Sequence, residues 1–164
     1  MNANFHINCI DMTDNLQLKK ELLRKCSEHV KVRIDTIQMA MDSIHESKLA
    51  ETKSSAGDKF ETSRAMMHAE EQKLKTQMHH AKSDQEILAT IGSRAARDQI
   101  GPGNLVSTSQ GHYLIAIGVG KVKIEGAVYY CISVDSPIGA KLSGKVVGDQ
   151  IEFNGRVIDI SDIY

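Results

Sequence analysis

The fold of this chain is decided by residues 16–44, LQLKKELLRKCSEHVKVRIDTIQMAMDSI, in which apolar side chains recur every seven residues. The same spacing returns over residues 60–88. Because seven residues are two turns of an α-helix, each set forms one apolar stripe along a helix. The two stripes consist of Leu16, Leu23, Val30, Ile37 and Ile44, and of Phe60, Met67, Leu74, Ala81 and Leu88. The sequence therefore predicts two long helices that pack as an antiparallel coiled-coil hairpin.

Folding the chain back about residue 52 arranges the ten stripe residues in five pairs. Ile44 then faces Phe60 near the turn, and Leu16 faces Leu88 at the open end. Each arm has about 30–35 residues and, at about 1.5 Å per residue, reaches roughly 45–50 Å. We predict this pairing for the hairpin.

The remainder of the chain is typical of a small β-rich domain. Residues 100–104, IGPGN, break the helix, and β-branched and aromatic residues follow them. Asn154-Gly155 predicts a two-residue hairpin turn because both residues tolerate a positive φ. We predict strands over 113–119, 122–124, 128–134, 150–153 and 157–160, and a short helix over 137–142.

The predicted fold class is accordingly α+β, with the long hairpin followed by the small β-rich domain. The predicted divisions are an N-terminal extension over 1–12, the hairpin over 13–92, a linker over 93–103 and the β-rich domain over 104–164.

Composition limits the classes of function. The formal net charge of −1 argues against a protein that grips nucleic acid by bulk electrostatics. The sequence contains no signal peptide and no apolar run long enough to cross a membrane, so we expect a cytoplasmic protein without a membrane partner. Cys9, Cys26 and Cys131 are far apart and form no Cys-x-x-Cys pair, which implies neither a disulfide framework nor a zinc site.

Two carboxylates, Asp58 and Glu61, stand near the expected turn in the run GDKFE, residues 57–61. A spacing of three at a helix start puts both on one face. In one interpretation Asp58 is the N-cap of the second helix and Glu61 closes a capping box. In the other, the end of a narrow arm presents both carboxylates to a site in another molecule. Spacing alone favours the cap and leaves the second interpretation open.

Two motifs in this order resemble the Gre family of bacterial transcript-cleavage factors. Gly57-Asp58-x-x-Glu61, at the start of the second arm, resembles the tip motif of that family, Gly-Asp-x-x-Glu-Asn. The stretch 136–149, SPIGAKLSGKVVGD, is similar to its signature Ser-Pro-Ile-Gly-x-Ala-Leu-x-Gly-Lys-x-x-Gly-Asp. The resemblance spans about residues 12–164, and the C-terminal motif is its specific part.

The resemblance implies an FKBP-like C-terminal domain that binds RNA polymerase at the rim of the secondary channel. The coiled coil would pass down that channel, where Asp58 and Glu61 would help hold a second Mg²⁺ so that the polymerase cleaves backtracked RNA. The protein would not be an enzyme itself. Alone it would bind Mg²⁺ poorly, because two exposed carboxylates leave most of the coordination shell of the ion to water. We expect a monomer that meets nucleic acid, including the RNA 3′ end, within the elongation complex.

The same resemblance assigns further residues. Those implied in polymerase binding are Ser136, Pro137, Ile138, Lys141, Leu142, Gly144 and Lys145. Lys53, Lys59 and Arg64 are the basic residues expected near RNA phosphates. Thr62 stands where the family usually has Asn, and the approach to the tip over 47–56 is longer than usual. Two alternatives stay open: a channel binder that inhibits or modulates polymerase by occlusion without cleavage, and a coiled-coil adaptor unrelated to transcription.

Overall fold

The structure is a computed structural model that describes residues 12–52, 59–91 and 98–164, with side chains for 14–50, 61–91 and 98–164. Lys53 and Asp58 lie outside the described residues. The chain divides into two compact units. The first, Met1–Cys26 with Ile91–Tyr164, is called the sheet unit below, and the second, Ser27–Thr90, the helical unit. The α+β class is confirmed, since long helices precede a six-stranded sheet.

The helical unit is built from two long helices, α1 (Met12–Thr52) and α2 (Lys59–Ile91). Residues of both predicted stripes meet in its core. The buried members are Ile37, Leu74 and Ala81, and partly buried Ile34, Ala40, Met41, Ile44 and Met78 pack against them. The predicted packing of two long helices against each other is therefore confirmed. No helix in the described ranges is long and apolar enough to cross a membrane.

Two ion pairs between the helices fix their alignment. Arg33 Nη1 lies 3.2 Å from Asp84 Oδ2, and Lys48 Nζ pairs with a carboxylate oxygen of Glu71. Because a later position on α1 meets an earlier one on α2, the two helices run antiparallel.

The predicted pairing about residue 52 is wrong. It would set Arg33 beside residue 71 and Lys48 beside residue 56, so the observed partners lie 13 and 15 residues further along the chain. That displacement is about two heptads. A shift by whole heptads keeps the same stripes in contact, so the periodicity alone does not determine which layers pair. The helix bounds agree with the shift, because α1 continues to Thr52 and α2 begins at Lys59.

Besides the start of α1, the described residues of the sheet unit form six strands and one short helix. In chain order these are β1 (Leu105–Thr108), β2 (Gly111–Ala116), β3 (Gly120–Ile124), β4 (Ala127–Ser133), α3 (Pro137–Leu142), β5 (Gln150–Phe153) and β6 (Arg156–Ile163). The spatial strand order is β3-β4-β2-β1-β6-β5. Strands β2 and β4 pair in parallel, and every other neighbouring pair is antiparallel.

The predicted strands are present, with ends displaced by a few residues, and both β5 and α3 have the predicted bounds. Asn154 and Gly155 have φ of 52° and 72°, which confirms the predicted hairpin turn. Strand β1 was not predicted. It has four residues, directly follows the IGPGN turn and depends on its neighbours β2 and β6.

One face of the sheet carries the main apolar core of the sheet unit. Its buried members are Ile100, Val106, Tyr113, Ile115, Leu142, Ile151, Ile158 and Ile160. Ile100 is tied to the loop after α3, since its N–H donates to the carbonyl of Lys145 at 2.8 Å and its carbonyl accepts from the N–H of Gly144 at 2.7 Å. Part of the segment predicted as a linker is thus built into the core.

The opposite face is covered by the first turns of α1. Leu105, Leu114 and Cys131 lie side by side in neighbouring strands and are fully or almost fully buried. Cys26 of α1 hydrogen-bonds to Cys131, and Asn15 hydrogen-bonds to Tyr164. Helix α1 therefore contributes to both units: to the sheet unit up to Cys26 and to the helical unit from Ser27.

Reversing the Arg33–Asp84 charges tests the observed alignment. Arg33→Asp alone puts two carboxylates together and should destabilise the protein. Arg33→Asp/Asp84→Arg should restore about 0.5 kcal/mol of unfolding free energy through the reversed pair, a small value because the pair is partly exposed. The control is Arg33→Asp/Glu71→Arg, which would be rescued only by the alignment about residue 52. Denaturant unfolding measures all three, and recovery in the control alone would contradict the observed alignment.

The Lys48–Glu71 pair predicts a pH dependence of stability. Hydrogen bonds from Lys48 and Lys75 lower the pKa of Glu71 from 4.5 to about 2. Because the folded pKa is depressed, this stabilisation is present above about pH 4.5 and is lost as the pH falls toward 2. We expect Glu71→Gln to be less stable than wild type at pH 7, with a difference that shrinks over this window.

The control for that experiment is Glu70→Gln, which removes a carboxylate that pairs with Lys73 within α2. Its stability relative to wild type should change less with pH. A difference between Glu71→Gln and wild type that persisted unchanged at pH 2 would contradict the assigned role of Glu71.

Candidate functional site

The tip site depends on where α2 begins. The helix starts at Lys59, directly after Asp58 in the chain, so Glu61 is its third residue. These are the positions that a capping box requires, and an acidic side chain in the first turn suits the positive end of the helix dipole. The Glu61 side chain is exposed to solvent. Its carboxylate is therefore accessible to a partner whichever cap the helix uses.

The basic residues expected near RNA are only partly described. Arg64 is exposed on α2, three residues after Glu61 and hence on the same helix face. Only the backbone of Lys59 is described, and Lys53 falls in the gap between the helices. The described tip is thus a surface of mixed charge, with an exposed Thr62 between Glu61 and Arg64.

The described side chains do not build a complete metal site. Within 14–50, 61–91 and 98–164, no group of three or more His, Cys, Asp or Glu side chains is placed to hold an ion. Glu61 can supply a carboxylate oxygen, the type of ligand that Mg²⁺ prefers. Since Mg²⁺ needs about six ligands, the tip can contribute part of a shell that another molecule and water complete.

The first half of the 136–149 motif builds the start of α3. The Ser136 hydroxyl accepts the N–H of Gly139 at 3.1 Å and donates to the carbonyl of Ser133 at 2.7 Å. Pro137 occupies the first turn, where its missing N–H costs nothing. A Cβ at Gly139 would lie 2.1 Å from the Ser133 carbonyl oxygen, so a side chain does not fit there.

Three further residues of the motif also have structural roles. Leu142 is fully buried in the core, and Ile138 packs against that core. Gly144 ends α3 with φ of +77°, a conformation that favours glycine, and its N–H bonds to the carbonyl of Ile100. Among the seven residues implied in polymerase binding, structural roles account for Ser136, Ile138, Leu142 and Gly144, and Pro137 suits the first turn of α3.

The outward part of the motif is smaller than expected. Pro137 and Lys141 are exposed, and Lys145 is half-buried. Sequence reasoning missed Val146 and Val147, whose exposed fractions are 37% and 54%. Two adjacent apolar residues in a loop between polar turns were the signal available. Together these five residues, named the α3 surface, combine positive charge with apolar area.

Comparing Leu142 with Lys141 tests this division between structural and outward residues. Leu142→Ala leaves a cavity in the core and should cost about 2–5 kcal/mol of unfolding free energy. Lys141→Ala removes an exposed side chain and should change stability by less than about 0.5 kcal/mol. Denaturant unfolding of the full chain measures both. Similar small losses would show that Leu142 does not pack as described.

Neither the protein families nor the curated proteins compared with this chain gave a match. Two features of the chain itself bear on its function, namely the carboxylate at the start of α2 and the α3 surface.

Proposed function

We propose that this protein is a Gre-like factor that binds RNA polymerase and inserts its two-helix arm into the secondary channel. There its tip would help the polymerase cleave the RNA of a backtracked complex. One observation carries the proposal: Glu61 is exposed in the first turn of α2, and this helix begins directly after Asp58. Carboxylates in that position are presented to a partner at the end of the arm.

The observed alignment of the helices supports a position of Glu61 at the end of the two-helix arm. Under the alignment about residue 52, Glu61 would lie beside residue 43 of α1, on the side of the arm. The alignment given by the ion pairs Arg33–Asp84 and Lys48–Glu71 instead puts Glu61 beyond the level at which α1 ends, at Thr52. Residues 47–52 of the long approach to the tip belong to α1, so they lengthen a helix.

The sheet unit would be the polymerase-binding part, and we assign it an FKBP-like fold. The support is the placement of α3, which Ser136 caps and which packs through Leu142 onto one face of a mainly antiparallel sheet. The α3 surface combines Lys141 and Lys145 with exposed valines. Such a surface fits a partner that offers acidic side chains around an apolar contact.

The residues at the tip fit a role beside Mg²⁺. Asp58 and Glu61 would hold the ion with carboxylate oxygens, and most of its shell would come from the polymerase, the RNA and water. A second Mg²⁺ in such a site supplies charge stabilisation for phosphoryl chemistry. Arg64, on the same face as Glu61, is suited to contact an RNA phosphate. The chain itself binds, orients and contributes ligands, and the polymerase performs the cleavage.

The test is a cleavage assay on a stalled, backtracked elongation complex. Wild-type protein should shorten the RNA from its 3′ end, and Asp58→Ala/Glu61→Ala should reduce the rate at least about tenfold. A matched control is Glu70→Ala/Glu86→Ala, which removes two exposed carboxylates further along α2 and should leave the rate unchanged. The tip variant should lose at most about 1–2 kcal/mol of stability if Asp58 also caps the helix.

Binding to polymerase separates the remaining outcomes. Wild-type protein that binds without shortening RNA would contradict cleavage and favour the channel binder that acts by occlusion. Absence of binding would favour the adaptor interpretation. A large loss of helicity in the tip variant, measured by circular dichroism, would show that the carboxylates are mainly structural.

A further inference from the structure

The two described cysteines lie together inside the sheet unit. Cys26 is on α1 and Cys131 is within β4, and both side chains are free thiols with 0% exposure. The thiols hydrogen-bond to each other, so no side chain separates the sulfur atoms. The hydrogen bond joins two elements that are more than 100 residues apart in the chain.

The surroundings of the pair are apolar. Cys131 lies beside Leu114 of β2 and Gly120 of β3 in the sheet. Leu114 is also fully buried. A buried cysteine in such surroundings usually acts as a small hydrophobic residue, because burial suppresses thiol reactivity. The feature that sets this site apart is a second thiol in hydrogen-bond contact, to which an oxidised sulfur can bond without moving far.

The contact supplies the second sulfur that a two-step oxidation needs, in which one sulfur attacks and the other resolves. The hydrogen bond with Cys26 and burial raise the pKa of Cys131. Either sulfur can take the attacking role, because each lies in contact with the other.

We propose that Cys26 and Cys131 form a redox pair that a hydroperoxide converts into a disulfide between α1 and β4. The thiolate of one cysteine attacks the peroxide oxygen, the O–O bond breaks, and the departing alkoxide or hydroxide takes a proton. The resulting sulfenic acid is attacked by the sulfur of the other cysteine, which forms the S–S bond and releases water. Overall, two thiols and one hydroperoxide give one disulfide, one alcohol or water, and one water.

The disulfide would fasten α1 to the sheet at Cys26, the last residue of α1 that belongs to the sheet unit. It would close a loop of about 100 residues, which restricts the unfolded chain and raises the unfolding temperature. This inference concerns the chemistry of the sheet unit and does not depend on the proposed role in transcription.

The experiment treats the folded full chain with hydrogen peroxide and then maps its tryptic peptides without reduction. The three cysteines fall on separate peptides, 1–19, 26–31 and 124–141, so each pairing has its own mass. We expect 26–31 linked to 124–141, labelled thiols in denaturant falling from three to one, and a higher unfolding temperature than in the reduced protein. Cys9→Ser should retain the link, and Cys131→Ala should lose it.

Several results would overturn the proposal. Three free thiols after treatment would show that burial excludes the oxidant, and a link through Cys9 would show a different pairing. Oxidation of Cys26 or Cys131 to sulfinic acid without a link would show that the other sulfur does not resolve. The wild-type peptide map decides these cases by itself, so the conclusion stands even if Cys131→Ala does not fold.

Discussion

The structure depends on one constraint, that the continuous helix α1 must bury apolar side chains against two different partners. Up to Cys26 it belongs to the sheet unit, where its side chains cover the sheet face that carries Leu105 and Leu114. From Ser27 onward it belongs to the helical unit, where Ile37 meets the stripe of α2. The heptad stripe serves the helical unit, whereas the buried residues of α1 in the sheet unit include Leu22 and Cys26, and the stripe member Leu16 is exposed.

The charged pairs distinguish between alignments of the two helices. Arg33–Asp84 and Lys48–Glu71 are partly exposed, so each contributes little to the free energy of folding. A shift by whole heptads keeps the same two stripes in contact, so apolar spacing alone does not choose between alignments. The two charged pairs fit the observed alignment and do not fit the one about residue 52. The position of Glu61 at the end of the arm is a consequence.

The 136–149 motif shows that residues implied in partner binding can serve two purposes. Ser136, Gly139 and Leu142 are explained by the cap, the close backbone approach and the core, without any partner. What remains for recognition is the side of the motif that faces solvent, including Lys141 and the adjacent valines. In the proposed function, these structural residues would hold the solvent-facing residues of the motif in position.

The sequence by itself determined the local features. Heptad spacing predicted both helices, β-branched and aromatic residues predicted most strands, and Asn154-Gly155 predicted its turn, because each signal arises from neighbouring residues. At the candidate site it also identified Glu61 as a helix-start carboxylate. Only the tertiary structure decided the alignment of α1 with α2, the existence of β1 and the burial of Leu142. It alone brought Cys26 to Cys131, since contacts between distant parts of a chain leave no periodic trace in either part.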